Sequence, residues 1–322
     1  MKVGILGAGG IAVSMANTLN QMEGVENYAI ASRELSKAQE FANKHGVSKA
    51  YGSYDEMLND PEVDLVYIAL PHSHHHEWTI KALNAGRNVL CEKAFAANAK
   101  QAKEMIDLAE KKGLLLAEAI WPRYMPSRKI IDDIIASGEI GDVVCVDSNL
   151  GYKIDHVKRM IDPNLAGGCL LDLTVYPLNF SSMVMGDKIK NIDAHMIPTE
   201  AGLDGQSNVM ITYENGAMAT MFTTMYAHTD RRGLITGRDG FIVVQNINNP
   251  EKISVYDSGA KLKREILPPK QLTGYEYEVE ACMKAISEGK TECQEMPHSE
   301  IIEIMEQMDR IREIFGIRFP FE

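Results

Sequence analysis

Residues 2–12 read Lys-Val-Gly-Ile-Leu-Gly-Ala-Gly-Gly-Ile-Ala, a short apolar run followed by a glycine-rich turn. The turn has the spacing Gly7-x-Gly9-x-x-Ala12 and leads into a segment with helical spacing. Gly7 permits a tight turn, Gly9 lets the backbone approach a pyrophosphate, and Ala12 lets helix and strand pack closely. The free N–H groups at a helix start bind phosphates. The pattern predicts a dinucleotide site that includes Gly10 and Ile11; the alternative is a purely structural turn.

The first 120 residues alternate apolar runs with segments of helical spacing. Such alternation predicts a doubly wound parallel sheet with helices on both faces, a Rossmann domain over residues 1–121. The runs predicted as strands are residues 2–6, 27–31, 64–70, 88–91 and 114–117, with a weaker signal at 51–53. The segments predicted as helices are residues 11–22, 34–45, 75–85 and 98–112.

The pattern changes after Pro122, where short strand-like runs follow one another. Glu214-Asn215-Gly216 and Arg238-Asp239-Gly240 are hairpin turn sequences, because Asn and Gly tolerate positive φ. Hairpins imply antiparallel pairing, so residues 122–322 are predicted to form an α+β domain with an open, mainly antiparallel sheet. The predicted strands are residues 142–152, 191–198, 207–213, 217–226, 233–237, 241–245 and 253–256, and two helices, 275–288 and 299–315, close the chain.

Composition argues against several classes of protein. The chain has 322 residues, a net charge of −12 and no long basic run, which speaks against nucleic-acid binding. No apolar run approaches the roughly 20 residues that cross a bilayer, so no membrane partner is expected. The five cysteines are scattered and include no Cys-x-x-Cys pair. That usage is typical of the reduced cytoplasm.

The end of the second predicted strand indicates which dinucleotide binds. An NAD site usually has Asp or Glu there, to accept bonds from the ribose hydroxyls. This chain has Ser32 and Arg33 instead, followed one helical turn later by Lys37. Ser32 is suited to bonding a 2′-phosphate, and Arg33 to pairing with it or stacking on adenine. NADP(H) is therefore favoured over NAD(H), although Glu34 keeps NAD(H) open and Arg33 has an alternative as a solvated surface charge.

Ligands of a doubly wound sheet bind beyond the carboxyl ends of its strands. Polar residues follow the apolar strands of this chain at those ends. Lys93 is the best catalytic candidate, because it follows the strand beside which the nicotinamide of a bound cofactor would lie. The alternative is an ordinary surface lysine. The polar set comprises Ser32 and Arg33, Pro71 and His72, Glu92 and Lys93, and Glu118, Trp121 and Arg123.

The second domain contains one segment that is unusual for a sheet domain, Gly167-Gly168-Cys169-Leu170-Leu171-Asp172-Leu173-Thr174-Val175-Tyr176. Asp172 and Tyr176 are four residues apart, so one helical turn brings them to one face. Pro177 is tolerated only in a first turn, which predicts a helix start near Leu173 or Thr174. The twin glycines allow a ligand to approach the backbone closely. The alternative for Tyr176 is a half-buried aromatic residue.

Four histidines stand close together at His72, His74, His75 and His76. A run that enters a helix spreads its side chains around the axis, and only His72 and either His75 or His76 would share a face. No matching Cys or carboxylate set accompanies them. No metal site is therefore predicted.

These motifs together resemble the glucose–fructose oxidoreductase / inositol dehydrogenase (Gfo/Idh/MocA) family over essentially the whole chain. The resemblance rests on the glycine turn, Pro71-His72-Ser73-His74-His75, Cys91-Glu92-Lys93 and the segment from Gly167 to Tyr176. The family usually has Glu-Lys-Pro where this chain has Glu92-Lys93-Ala94. Glu118-Ala119-Ile120-Trp121-x-Arg123-Tyr124, together with Tyr176, most resembles the dimeric dihydrodiol dehydrogenases of the family.

The resemblance implies hydride transfer between nicotinamide and the carbinol or carbonyl carbon of a sugar, polyol or trans-dihydrodiol. It implies that Tyr176 is the general acid/base, that Lys93 stabilises its phenolate, and that Asp172 orients Lys93 or a substrate hydroxyl. It places His72 near the nicotinamide ribose and makes His75 a support of the loop. It also implies a substrate-binding C-terminal domain and a homodimer, or higher homo-oligomer, formed through its sheet. The implied cofactor set also includes Leu70, Pro71, Glu92, Lys93, Trp121 and Arg123.

Two other functions fit the same fold. Some family members use NAD transiently to cleave glycosides, and a non-catalytic NADP-sensing regulatory protein is also compatible with it. Retention of Lys93, Asp172 and Tyr176 together argues against the non-catalytic alternative. The sequence does not identify the substrate among small sugars, polyols and cyclic diols.

Overall fold

The computed structural model of the chain describes residues 1–322, which fall into two compact units. The first unit comprises Met1–Tyr124 and Gln271–Ile302, and the second comprises Met125–Lys270 and Glu303–Glu322. The local sequence pattern, which predicted a single division after residue 121, gives no sign that residues 271–302 group with the N-terminal residues.

Fourteen strands and ten α-helices make up the chain. The strands are β1 (Lys2–Leu6), β2 (Glu26–Ala31), β3 (Lys49–Tyr51), β4 (Leu65–Ile68), β5 (Asn88–Glu92), β6 (Leu116–Ala119), β7 (Val143–Gly151), β8 (Ile189–Pro198), β9 (Asp204–Tyr213), β10 (Met218–Thr224), β11 (Gly233–Gly237), β12 (Gly240–Gln245), β13 (Lys252–Asp257) and β14 (Leu262–Ile266). The helices are α1 (Gly10–Leu19), α2 (Leu35–His45), α3 (Tyr54–Leu58), α4 (His75–Asn84), α5 (Ala99–Lys112), α6 (Pro126–Ala136), α7 (Lys158–Ile161), α8 (Val175–Met185), α9 (Glu276–Ser287) and α10 (His298–Phe315).

The sheet of the first unit has six strands in the order β3-β2-β1-β4-β5-β6, all parallel. All four residues of β4 are buried, because helices cover both faces of a sheet of this kind. The strand order reverses between β1 and β4, which creates a crevice at the carboxyl ends of those two strands. The predicted Rossmann fold is confirmed, and its crevice lies where β1 runs into the glycine turn.

The sheet of the second unit has eight strands in the order β14-β13-β12-β11-β7-β10-β9-β8. Both predicted hairpins are present, since β9 pairs with β10 and β11 with β12 in antiparallel fashion. The one parallel pair joins β7 to β10. The predicted open, mainly antiparallel sheet is confirmed.

The two faces of this second sheet differ in burial. On β9, Val209 and Ile211 are fully or nearly fully buried, whereas the alternating Met210 is 36% exposed. Helix α8 packs against β7 and β10. The covered face of the sheet therefore holds α8, and this helix begins just before Tyr176.

Some elements carry no clear local signal. The edge strand β14 reads Leu-Lys-Arg-Glu-Ile and is largely exposed, so its charged residues conceal its pairing with β13. Helices α3 and α6 were also not predicted. No helix of this chain combines the length and the apolar character needed to span a membrane.

Candidate active site

The glycine turn lies at the crevice of the first sheet. Gly7 has φ of 101°, and its amide N–H donates to the Ala31 carbonyl at 3.0 Å. A Cβ at this position would lie 2.7 Å from the Ala69 carbonyl oxygen. Only glycine therefore fits here, because the turn passes directly over the end of β4.

Gly9 and Gly10 differ from Gly7, because a Cβ at either position would have no atom of the chain within 4 Å. Gly9 caps α1 without a side-chain hydrogen bond, and the first turn of α1 has no acidic residue. The first N–H groups of the helix therefore face open space, with Ile11 half-buried beneath them. This cradle fits a phosphate or pyrophosphate group.

The end of β2 brings together residues that would lie at the adenosine half of a dinucleotide. Ser32 is nearly buried and its amide donates to the Tyr51 carbonyl at 3.2 Å. Arg33 is exposed. Burial lowers the pKa of His74, and the nearby Arg33 charge lowers it further. The same charge opposes the burial-driven rise in the pKa of Tyr54.

Lys37 is occupied by a local ion pair. Its ammonium lies 2.6 Å from a carboxylate oxygen of Glu34, and both side chains are largely exposed. Glu34 therefore competes with a phosphate for Lys37. The sequence could not reveal this pairing, because either residue could equally have faced the cofactor.

His75 joins the loop after β4 to the loop after β5. It is fully buried, with one ring nitrogen 2.8 Å from the Leu70 carbonyl oxygen and the other 2.8 Å from that of Ala94. Burial lowers the pKa of His75, whereas the two carbonyl oxygens oppose that shift, because only the protonated ring can donate to both of them. His75 thus holds the Pro71-containing loop against the loop that carries Lys93.

The other three histidines differ in their surroundings. His72 is buried, with its ring edge-on to that of His75. The His74 ring lies 2.9 Å from the Ser73 hydroxyl, and the His76 ring lies 2.9 Å from the Glu104 carboxylate. No three His, Cys, Asp or Glu side chains of the chain form a group that could hold a metal ion.

Lys93 is half-buried, and its peptide bond to Ala94 is cis. Its amide donates to one carboxylate oxygen of Glu92, whose other oxygen accepts a hydrogen bond from Tyr67. Glu92 therefore holds the backbone at the start of this loop. The loop places Lys93 at the same carboxyl edge of the sheet as the glycine turn.

Two further carboxyl groups are buried in the first unit. Glu118 accepts a bond from the Phe95 amide at 3.1 Å, and burial raises its pKa to about 7 against the opposing charge of Arg123. Glu278 on α9 has no hydrogen-bond partner for either oxygen, and burial raises its pKa well above the usual range. Burial therefore favours the uncharged form of both groups.

Residues 271–302 supply partners for two predicted site residues. The rings of Trp121 and Tyr275 are stacked, with centroids 4.5 Å apart. Arg123 is buried and forms an ion pair with Glu300. Sequence reasoning missed Tyr275 and Glu300, because nothing in the local pattern links them to residues 150 or more positions earlier.

The twin glycines of the second unit serve the chain's own packing. A Cβ at Gly167 would lie 2.7 Å from the carbonyl oxygens of Arg159 and Met160, and one at Gly168 would lie 2.2 Å from a carboxyl oxygen of Asp204. The expectation that they make room for a ligand is therefore wrong. They make room for neighbouring segments of the protein.

Asp172 and Tyr176 lie on one continuous helical segment. A wide π-turn over Leu170–Thr174 leads directly into α8. Helical structure therefore begins three residues before the predicted start at Leu173. Pro177, which lacks an N–H group, lies directly after this π-turn, where the helical hydrogen-bond pattern is locally altered.

Asp172 is almost fully buried and paired with a cation. One of its carboxylate oxygens lies 2.5 Å from the guanidinium of Arg159, whose side chain is 44% exposed. Tyr176 is half-buried. Sequence reasoning missed Arg159, because this residue of the short helix α7 belongs to no recognisable motif.

Two family models match the chain. Residues 1–119 match the model described as the oxidoreductase family GFO/IDH/MocA, NAD-binding Rossmann fold, and residues 129–243 match the GFO/IDH/MocA C-terminal domain. Among curated proteins, the trans-1,2-dihydrobenzene-1,2-diol dehydrogenases of Mus musculus and Bos taurus are 31% and 32% identical to this chain. Each match covers 99% of this chain and 98% of the relative.

Solved structures share the whole fold. KijD10, a 3-ketoreductase from Actinomadura kijaniata solved with NADP and TDP-benzene, has a TM-score of 0.88 and 23% identity over 97% of each chain. Levoglucosan dehydrogenase, solved with NADH and levoglucosan, has a TM-score of 0.85 and 20% identity over 98% of this chain and 97% of that one.

Proposed function

The chain belongs to the GFO/IDH/MocA oxidoreductase family, and we propose that it moves a hydride between nicotinamide and the carbinol or carbonyl carbon of a sugar, polyol or trans-dihydrodiol. It is an NAD(P)-dependent oxidoreductase that acts on hydroxyl groups. One observation carries the proposal. The open cradle at Gly9 and Gly10, the Pro71 loop and Lys93 all lie at one carboxyl edge of the first sheet.

The cradle suits the cofactor because the first N–H groups of α1 lie beside the open space at Gly9 and Gly10, where a pyrophosphate can approach them. Gly7, Gly9, Gly10 and Ile11 would hold the pyrophosphate. Leu70, Pro71, His72 and Lys93 also belong to the proposed cofactor set. The buried His75, Glu92, Trp121 and Arg123 support it. Bound there, a nicotinamide cofactor supplies the hydride donor or acceptor.

We favour NADP(H) over NAD(H). The end of β2 offers the Ser32 hydroxyl and the exposed Arg33, and no carboxylate occupies the position that usually accepts bonds from the ribose hydroxyls. Lys37 contributes less in this proposal than the sequence implied, because Glu34 already neutralises it.

Three residues carry the proposed catalytic roles. The Lys93 ammonium polarises the substrate oxygen. Tyr176 exchanges a proton with that oxygen, and Asp172, oriented by Arg159, accepts a bond from a substrate hydroxyl. The half-buried ring of Tyr275, which stacks on the buried Trp121, offers an aromatic contact for a sugar or diol ring.

The deciding experiment is a substrate panel followed by absorbance of the reduced nicotinamide. Sugars, polyols and trans-dihydrodiols are tested with NADPH or NADP⁺ and, in parallel, with NADH or NAD⁺. Net redox with one substrate class is expected. Tightly bound NAD with glycoside cleavage and no net redox would favour the glycosidase, and cofactor binding without any turnover would favour a sensor.

The role assignments are tested with two variants. Lys93→Met and Tyr176→Phe should each lower turnover by about 100-fold or more, the range of acid/base contributions. Cofactor titration should still show binding in both. Lys100→Met and Tyr256→Phe are matched controls outside the site, and near-normal turnover in both active-site variants would overturn the assignments.

We also propose a cytoplasmic homodimer formed through the uncovered face of the second sheet. Met210 and Met218 are each 36% exposed on this face and Ile197 is 59% exposed, an apolar area that favours a partner surface. All five cysteines are free, as in a reducing compartment. A monomeric mass by light scattering at micromolar concentration would contradict the dimer.

A further inference from the structure

The helical segment that carries Asp172 and Tyr176 begins inside the second unit. Its first amide groups, at Cys169 and Leu170, have no preceding turn of helix to bond to. Both residues are buried, so water cannot satisfy these amides at a protein surface. Another part of the chain must provide the acceptor.

Asp204, the first residue of β9, occupies that place. Its side chain is 1% exposed, and the amides of Cys169 and Leu170 both interact with its carboxyl group. Asp204 lies very close to the backbone of Gly168, since a Cβ on Gly168 would lie 2.2 Å from the nearer carboxyl oxygen of Asp204. Gly168 also has φ of 106°, which an L-residue rarely adopts.

Further contacts fix the same segment. The Cys169 thiol donates to the Gly205 carbonyl at 3.0 Å, directly after Asp204. The Thr174 hydroxyl lies 2.7 Å from that of Thr223, which lies 2.9 Å from that of Ser207. The segment is therefore held on both sides of Asp172. Asp204 contacts it before Asp172, and the linked hydroxyls of Thr223 and Ser207 contact it after Asp172, at Thr174.

The burial of Asp204 lowers the stability of the fold, and packing alone does not explain why an acid stands at this position. Its second carboxyl oxygen is buried without a hydrogen-bond partner. Burial raises the pKa of Asp204 to about 8, although the Leu170 amide opposes the shift. A buried acid with one unpartnered oxygen lowers stability, and such costs are characteristic of functional sites.

We propose that Asp204 is a positioning residue that sets the start of the Asp172–Tyr176 segment against β9. The proposal rests on the catalytic roles given above for Asp172 and Tyr176. Asp204 itself touches neither substrate nor cofactor; it acts by fixing the helical turn from which these two side chains project.

The test compares Asp204→Ala, Asp204→Asn and Gly168→Ala. Asp204→Ala should lower kcat about 10- to 100-fold, the cost of a misplacement near 1 Å, while the cofactor Kd changes less than twofold. Asp204→Asn keeps an acceptor oxygen and should recover kcat to within about threefold. Asp133→Ala, an exposed acid on α6, is the matched control and should behave as the wild type.

Gly168→Ala tests the same contact from the other side, because the added methyl group displaces the carboxyl. It should lower kcat as Asp204→Ala does. Alanine at φ 106° also strains the backbone, so a loss of kcat in this variant counts only when Asp204→Ala shows one as well. An unchanged kcat in Gly168→Ala would contradict the proposal. If Asp204→Ala does not fold, the Asp204→Asn and Gly168→Ala pair decides.

Tyr176→Phe, measured alongside, separates the two proposals. A normal rate in Asp204→Ala with an inactive Tyr176→Phe would overturn the positioning role alone. A normal rate in Tyr176→Phe would overturn the proposed catalytic role, and a kcat loss in Asp204→Ala would then act through Asp172.

Discussion

The rings of Trp121 and Tyr275 stack with centroids 4.5 Å apart and planes 9° from parallel. Trp121 follows β6, and Tyr275 directly precedes α9, so the pair exists only because residues 271–302 fold onto the Rossmann sheet within the first unit. The indole nitrogen of Trp121 is buried and has no hydrogen-bond partner. The Tyr275 ring of this pair is the aromatic contact that we propose for the substrate ring.

Trp121→Ala should raise the substrate KM about 3- to 10-fold, because an aromatic contact contributes roughly 0.5–1.5 kcal/mol. Tyr275→Phe keeps the stacked ring and should remain within twofold of wild type. Steady-state kinetics at saturating cofactor provide the measurement. Phe321→Ala, which removes an exposed ring stacked on Phe319, is the control. An unchanged KM in Trp121→Ala would remove the pair from the substrate site.

Arg33→Ala should weaken NADPH binding about 10- to 100-fold, since a hydrogen bond to a charged group contributes about 1.5–3 kcal/mol. NADH binding should change less than twofold, because NADH lacks the 2′-phosphate. Glu34→Gln should tighten NADPH binding by freeing Lys37 from its ion pair. Fluorescence titration of both reduced cofactors measures these effects, with Lys44→Ala as the control. Equal losses for both cofactors in Arg33→Ala would contradict 2′-phosphate recognition.

Glu118→Gln should change how stability depends on pH. Burial raises the pKa of Glu118 to about 7 in the folded protein, whereas an unfolded chain titrates near 4.3. The folded form therefore binds the extra proton between these values. Its contribution to stability is complete below about pH 4 and is lost as the pH rises through 7.

Relative to Glu118→Gln, the wild type should lose on the order of 1–3 kcal/mol of unfolding free energy between pH 5 and 8. Thermal melts of both proteins across this range provide the test, and Glu40→Gln, an exposed substitution, is the control. Parallel pH profiles for wild type and Glu118→Gln would show that Glu118 titrates normally.

Asp60 should make the stability of the protein depend on pH in the direction opposite to that of Glu118. Burial alone raises its pKa, but hydrogen bonds from Tyr51, the Glu62 amide, Lys49 and Tyr28 outweigh burial and hold the pKa well below the usual range. Its contribution is thus present above about pH 4 and is lost as the pH falls further.

Asp60→Asn should destabilise the protein by about 1–3 kcal/mol at pH 7, because it weakens hydrogen bonds to a charged acceptor. The difference from wild type should shrink between pH 5 and 3. Melts at pH 3, 4, 5 and 7 would measure it, with the exposed Asp107→Asn on α5 as the control. A difference that stays constant across this range would mean that the charge of Asp60 does not matter.

Local patterns predicted the bounds of some strands well. The bounds of β1 and β11 agree with the predicted residues, because turn residues mark the carboxyl end of each strand. The partners of the site residues were not predictable in the same way. Glu300 beside Arg123, Tyr275 on Trp121 and Arg159 beside Asp172 all depend on contacts between distant segments, which no local periodicity records.

The parallel pairing of β7 with β10 has a consequence for how the second sheet assembles. Strands β8 to β10 and strands β11 to β14 each form consecutive antiparallel hairpins, and β7 alone joins the two groups. Hairpins close over short loops, whereas β7 must find partners about 70 and 90 residues away, which is intrinsically slower. We expect β7 to be inserted last during refolding, so pulse-labelled hydrogen exchange should protect its amides after those of β9 and β12. The strand at the centre of the sheet would then be the last one to pair with its neighbours.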